Sequence, residues 1–146
     1  MFGFFKKKKA QSGFQLRDPR AKEVVARAAA ILEMNLMLCR ATEEFESKLR
    51  ADFTRGYFVG FFDGAAQAAG IEFSGDQEFF VYLGIGHTVL LQNDVPDPTT
   101  FTLDSLSLQG TRQFEEGQRT GGTEYFAWMN DGEQRPHGLL RIFHDE

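Results

Sequence analysis

Four polar side chains that could do chemistry lie in otherwise apolar parts of the sequence. Asp63 and Gln67 are one helical turn apart, His87 lies within the apolar stretch 79–91, and Glu124 borders another apolar stripe. A buried carboxylate must be paired, hydrogen-bonded or protonated, and an Asp63–His87 contact would satisfy both side chains. We expect such a contact to fix helix packing; the functional alternative is a polar position in an apolar ligand pocket formed by these four residues.

The sequence contains no pattern that indicates a metal, a cofactor or a catalytic nucleophile. It has no E-x-x-H pair for a di-metal helical protein, no H-E-x-x-H, no C-x-x-C, no Walker A loop and no G-x-S-x-G. The only cysteine is Cys39, so an internal disulfide is excluded. We therefore predict no catalytic residue, no metal site and no cofactor, and a protein without enzymatic activity is favoured.

Helical periodicity and capping signals predict the elements that position these residues. Asp18-Pro19 is typical of a helix start, Thr42 precedes an acidic first turn, and Asp76 with Glu78 provides another. Gly70 and the loop NDVPDP, residues 93–98, are typical of helix ends. The sequence thus predicts an all-α bundle of four main helices within one domain, residues 18–146, at about 18–41, 43–69, 74–91 and 100–129.

The second predicted helix is apolar on all sides from residue 56 to 69, which indicates burial on all sides. It also carries glycines every fourth residue, and the fourth predicted helix has glycines on its apolar stripe. Each interior glycine costs about 1 kcal/mol relative to alanine, so a close helix–helix crossing must compensate. We predict that the two glycine faces cross, within one chain or across a dimer, through Gly56, Gly60, Gly64, Gly110, Gly117 and Gly121.

The C-terminal segment 133–146 contains a short apolar cluster, Leu139, Leu140, Ile142 and Phe143, that we expect to pack back on the helices. An alternative interpretation makes residues 124–130 and 138–143 the two strands of a hairpin.

The charge distribution separates the N-terminus from the rest of the chain. The net charge is −5, yet residues 10–146 carry 12 Lys and Arg against 21 Asp and Glu. Such an acidic body argues against nucleic-acid binding. No stretch approaches the ~20 apolar residues that span a bilayer, and the N-terminus is unlike a secretory signal, so we predict a cytoplasmic protein.

Residues 1–17 are predicted to form a mobile tail with aromatic and basic residues side by side. Such a tail could make weak contact with an anionic membrane surface. The residues that would do so are Phe2, Phe4, Phe5, Lys6, Lys7, Lys8 and Lys9.

Three functions are compatible with these patterns. The first is a non-enzymatic adaptor or regulatory protein that acts through helix-face contacts, with a protein partner or itself as a homodimer. The second is a small-molecule binder or enzyme with a pocket between the second, third and fourth helices, around Asp63 and His87. The third is a peripheral membrane protein that uses the Phe/Lys N-terminus.

Overall fold

The computed structural model describes residues 15–130 and 138–144, and all regular structure in these ranges is α-helical. This confirms the predicted all-α class, but the described residues form seven helices where four were predicted. We number them α1 (Ala21–Leu36), α2 (Phe45–Leu49), α3 (Asp52–Ala68), α4 (Asp76–Leu91), α5 (Pro98–Leu106), α6 (Arg112–Asn130) and α7 (Gly138–His144).

The predicted helix 43–69 is broken into α2 and α3 at Ala51. Ala51 has an extended backbone, with φ −68° and ψ 151°. The carbonyl of Arg50 accepts a hydrogen bond from the Arg55 side chain, with 3.0 Å from Nε to O. At the break this side chain occupies a carbonyl that a continuous helix would pair with a backbone amide, and helical periodicity does not reveal it.

The predicted helix 100–129 is likewise two helices, α5 and α6, separated by the turn 107–111. Gly110 has φ +93°, a left-handed conformation that glycine adopts without steric cost and that ends helices. The hydroxyls of Ser107 and Thr111 donate to the carbonyls of Asp104 and Leu108, which stabilises the turn. The predicted helices 18–41 and 74–91 are observed over the shorter spans of α1 and α4.

Helix α3 is the centre of the molecule, and α6 is its closest partner. Twelve of the 17 residues of α3 are buried, from Thr54 to Ala66. A Cβ added to Gly60 would lie 1.9 Å from the Gln118 carbonyl oxygen, and one added to Gly117 would lie 2.1 Å from the Phe53 carbonyl oxygen. Only glycine permits backbones this close, so α3 and α6 touch along their main chains.

The two helices run parallel and share one spacing pattern. Gly56 faces Phe114, Gly60 faces Gln118 and Gly121 faces Tyr57, so contacts advance in the same direction along both helices. The same pattern, F-x-x-G-x-x-x-G, occurs at residues 53–60 in α3 and 61 residues later, at residues 114–121, in α6. The crossing is therefore made within one chain by two copies of a short pattern.

The remaining helices cover the other sides of this pair. Helix α1 packs on α3 and α4, and α5 packs on α3 and α4. Helix α7 contacts α1, α2, α3 and α6, with Leu139 and Phe143 buried. The hairpin interpretation is wrong, because residues 124–130 and 138–143 are both helical.

The described end of the predicted tail is attached to α4. The backbone amide of Arg17 donates to the Glu78 carboxylate at 2.7 Å, and Leu16 packs against the core. Residues 1–14 lie outside the described residues, so the predicted membrane-contact residues Phe2, Phe4, Phe5 and Lys6–Lys9 cannot be placed.

Candidate functional site

His87 is completely buried among three phenylalanine rings, those of Phe58, Phe62 and Phe101. Its Nδ1 lies 2.7 Å from the Thr102 hydroxyl oxygen. The same hydroxyl oxygen lies 2.9 Å from the Pro98 carbonyl oxygen, within α5. The other ring nitrogen of His87, Nε2, is buried without a hydrogen-bond partner.

Burial, together with the smaller effect of the Arg55 cation, lowers the pKa of His87 to about 3. The imidazole thus stays neutral over the physiological pH range. It holds α4 against α5 and cannot transfer protons to solvent.

The structure does not bring Asp63 to His87. Asp63 is half-buried and accepts a hydrogen bond from Gln67 Nε2 at 3.1 Å, within α3. Burial raises the pKa of Asp63, and the Gln67 bond opposes that shift. The expected contact is replaced by a local pair on α3 and a separate His87–Thr102 bond, because the two side chains leave their helices toward different neighbours.

Glu124 is the one predicted ligand-binding residue that joins several elements. Its Oε1 accepts from the Tyr57 hydroxyl at 2.6 Å and from the Gly138 amide at 2.9 Å. Its Oε2 lies 3.5 Å from an Arg141 guanidinium nitrogen. Burial and the nearby carboxylate raise the pKa of Tyr57 well above its ordinary value. Glu124 thus connects α3, α6 and α7.

Of the six predicted packing glycines, five lie where α3 and α6 approach each other. Gly64 has more room than the others, since its added Cβ would be 3.2 Å from Tyr125 Cβ. Gly110 is not part of the crossing: it lies in the α5–α6 turn, and an added Cβ would meet nothing within 4 Å. Glycine is favoured at position 110 because the backbone there has a positive φ.

Arg55 is a buried cation in the first turn of α3. Only 8% of it is exposed, and its guanidinium donates to the Phe101 carbonyl and the Ser105 hydroxyl, at 3.2 and 2.9 Å. It also stacks 4.2 Å from the Phe101 ring centroid. Burial lowers the pKa of Arg55. Because these two acceptors lie on α5, 46 and 50 positions away, no local signal could have revealed this contact between α3 and α5.

A cleft of about 390 Å³ opens where α7 meets α2, α3 and α6. Its walls are mainly apolar, with Ala51, Phe53 and Ile142 contributing, while Lys48 and Arg141 supply two cations. This volume is within the range of about 300–1,000 Å³ that small-molecule sites occupy. Sequence reasoning missed the cleft because its walls come from four separate helices.

An apolar surface patch is formed at the end of α1 by Met34, Met37 and Leu38, which we call the Met patch. These side chains are 58%, 58% and 61% exposed. Beside them, Arg40 bridges Glu33 and Asp94, with nitrogen–oxygen distances of 2.8 Å to each. An exposed apolar patch with a charged rim is typical of a protein-contact surface.

Among the described residues, no group of three or more His, Cys, Asp or Glu side chains could hold a metal ion. Within the same part of the chain, no helix has the length and apolar character needed to cross a membrane.

No protein-family model, curated protein or solved structure matches this chain. Its function therefore has to be argued from its own geometry.

Proposed function

We propose that this chain is a non-enzymatic interaction protein that self-associates through the Met patch. The observation that carries this proposal is the clustering of three largely exposed apolar side chains within five residues. Methionine is flexible and polarisable, and it is overrepresented on surfaces that adapt to a partner. The glycine faces, which were expected to cross within one chain or across a dimer, face each other within the chain.

The partner at the Met patch is a second copy of the same chain. In a twofold-symmetric dimer the same patch serves both subunits, so apolar side chains face apolar side chains. Ala30 is also exposed, one turn before Met34 on the same face of α1. Antiparallel pairing of two copies about Met34 would set Ala30 of one copy against Leu38 of the other, in the turn that follows α1. The small alanine would permit close approach.

The test is the molar mass of the full chain by light scattering across a range of concentrations. We expect a dimer for the wild type and a monomer for the double variant Met34→Glu/Leu38→Glu, because two buried charges would face their copies. Leu103→Glu is the matched control, since Leu103 is 60% exposed on α5, outside the patch. A strictly monomeric wild type, or equal dissociation of both variants, would overturn the proposal.

A further inference from the structure

Helix α5 is a short cover over part of α3 and α4. Of its nine residues only Phe101, Thr102 and Ser105 are buried, and Leu103 is largely exposed. Within the described part of the chain, α5 packs on no helix other than α3 and α4, so it takes no part in the α3–α6 crossing. Residues 92–97 and the turn 107–111 connect it to its neighbours. A short helix with so few buried side chains can open separately from the rest of a fold.

Two buried basic side chains contact the Phe101 ring of α5. The ring centroid lies 5.2 Å from that of His87 and 4.2 Å from the Arg55 guanidinium carbon. The polar bonds of α5 go to the same two side chains, from Thr102 to His87 at 2.7 Å and from Ser105 to Arg55 at 2.9 Å. Histidine ordinarily titrates near neutral pH. The attachment of α5 therefore includes one group that can respond to pH.

The closed structure has no place for a second proton on His87. The imidazolium carries an N–H on each ring nitrogen, whichever nitrogen holds the proton in the neutral form. Nε2 has no hydrogen-bond partner, and the ring is enclosed by phenylalanine side chains of α3 and α5. A charged imidazole would thus be buried with one donor unpaired, which is costly.

The charges around His87 also oppose its protonation. Arg55 on α3 is the one charged group among the described residues that shifts the pKa of His87, and it lowers it. No charged group of α1 or α5 contributes to that shift. Asp104 on α5, Asp52 on α3 and Arg50 before α3 act on the pKa of Arg55 instead. No carboxylate therefore compensates a positive charge on His87 while α5 is closed.

We propose that α5 is an acid-opened cover, which protonation of His87 releases from α3 and α4 while the α3–α6 crossing stays intact. Opening lets water reach the imidazolium and the Arg55 guanidinium, and it exposes the rings of Phe58 and Phe62 that face His87. This proposal does not depend on self-association, because the Met patch and α5 share no residues.

The direction of the pH effect follows from the two states of the imidazole. Burial lowers the pKa of His87 to about 3, whereas an exposed imidazole ionises near pH 6.5. The opened form therefore binds the proton more tightly than the closed form. Opening becomes more favourable as the pH falls below about 6.5, by about tenfold per pH unit for one proton.

The experiment is amide hydrogen exchange of the full chain between pH 7 and pH 4.5, measured by mass spectrometry on peptides from α3, α5 and α6. Protection factors, corrected for the pH dependence of exchange in unstructured peptides, report the opening equilibrium. In the wild type we expect α5 to be less protected than α3 at every pH. Below pH 6.5 its protection should fall about tenfold per pH unit.

Three variants identify the group that binds the proton. His87→Leu should make the protection of α5 independent of pH. Thr102→Val should lower that protection at every pH and keep its slope, because the bond to His87 is lost while the imidazole remains. His144→Gln is the matched control, since His144 is an exposed histidine on α7, and it should behave like the wild type.

Four results would overturn the proposal. The first is equal protection of α5 and α3 at every pH, which would mean that opening is global. The others are a wild-type α5 whose protection does not depend on pH, a His87→Leu protein that keeps the wild-type slope, and a Thr102→Val protein with wild-type protection. Circular dichroism at pH 7 checks the fold of each variant, and the two wild-type results decide even if His87→Leu does not fold.

Discussion

At the residue scale, the chain contains two buried polar atoms without partners, the Thr54 hydroxyl oxygen and His87 Nε2, among its described residues. Each is a cost to the folded state that the surrounding structure must offset. They differ in location. Thr54 lies in the first turn of α3, whereas His87 is enclosed by aromatic rings.

Thr54→Val should make the unliganded protein more stable by about 1 kcal/mol or more. Valine keeps the shape of threonine and removes the unpaired hydroxyl, so the cost of desolvating that group disappears. Urea denaturation without ligand measures the change. A loss of stability would contradict this expectation and would mean that the hydroxyl has a hydrogen-bond partner in solution.

His87→Leu should remove part of the loss of stability on acidification. The pKa of His87 is about 3 in the folded protein and about 6.5 in the unfolded chain, so the unfolded chain binds the proton more tightly. The stabilisation from neutral His87 is complete above pH 6.5 and is lost as the pH falls from 6.5 toward 3. The loss is about 1.4 kcal/mol per pH unit in that window.

Urea denaturation of both proteins between pH 7 and pH 4 measures this difference. We expect the unfolding free energy of the wild type to fall more steeply than that of the variant. Parallel curves would show that His87 is not buried as a neutral group. Acidic groups elsewhere affect both proteins alike and cancel in the comparison.

At the element scale, the α3–α6 crossing decides which glycines can be replaced. Gly60→Ala would place a Cβ 1.9 Å from the Gln118 carbonyl oxygen, so the helices would have to separate. We expect a loss of more than about 4 kcal/mol, or failure to fold. A Gly60→Ala variant that unfolds near the wild-type urea midpoint would contradict the close crossing.

Gly84 provides the matched control within α4. An added Cβ there would meet nothing within 4 Å. Alanine is preferred over glycine inside helices by about 1 kcal/mol, so Gly84→Ala should be stabilising by roughly that amount. Both substitutions replace glycine with alanine, but Gly60→Ala should lower the free energy of unfolding and Gly84→Ala should raise it.

The sequence predicts the class and burial of the helices better than it predicts where they begin and end. Apolar periodicity predicted the helical class and the burial of most of α3, because these depend on residues close in the chain. It missed the breaks at Ala51 and Gly110, since the first involves a local bond from the Arg55 side chain to the Arg50 carbonyl and the second a positive φ, and neither changes the apolar period. The sequence alone does not distinguish a glycine that packs against another helix, such as Gly117, from one that ends a helix, such as Gly110. The three-dimensional structure does.

At the scale of the whole molecule, the candidate site was much less predictable than the fold. Glu124 was singled out for its position beside an apolar stripe, yet its partners Tyr57, Gly138 and Arg141 come from two other helices. Arg55 and Thr54 look like ordinary polar residues of an amphipathic helix in the sequence. Both residues are buried because α5 and α7 cover α3, and the sequence does not show which helices pack there.

The parallel arrangement of α3 and α6 also has a consequence for how the chain is made. Parallel neighbours need an intervening crossover, so the closest contact in the molecule joins segments 61 residues apart. At a synthesis rate of about 5–20 residues per second, α3 leaves the ribosome roughly 3–12 s before the equivalent part of α6. Throughout that interval its aromatic and glycine-rich surface has no partner on its own chain. The nascent protein is therefore expected to need protection by a chaperone during translation.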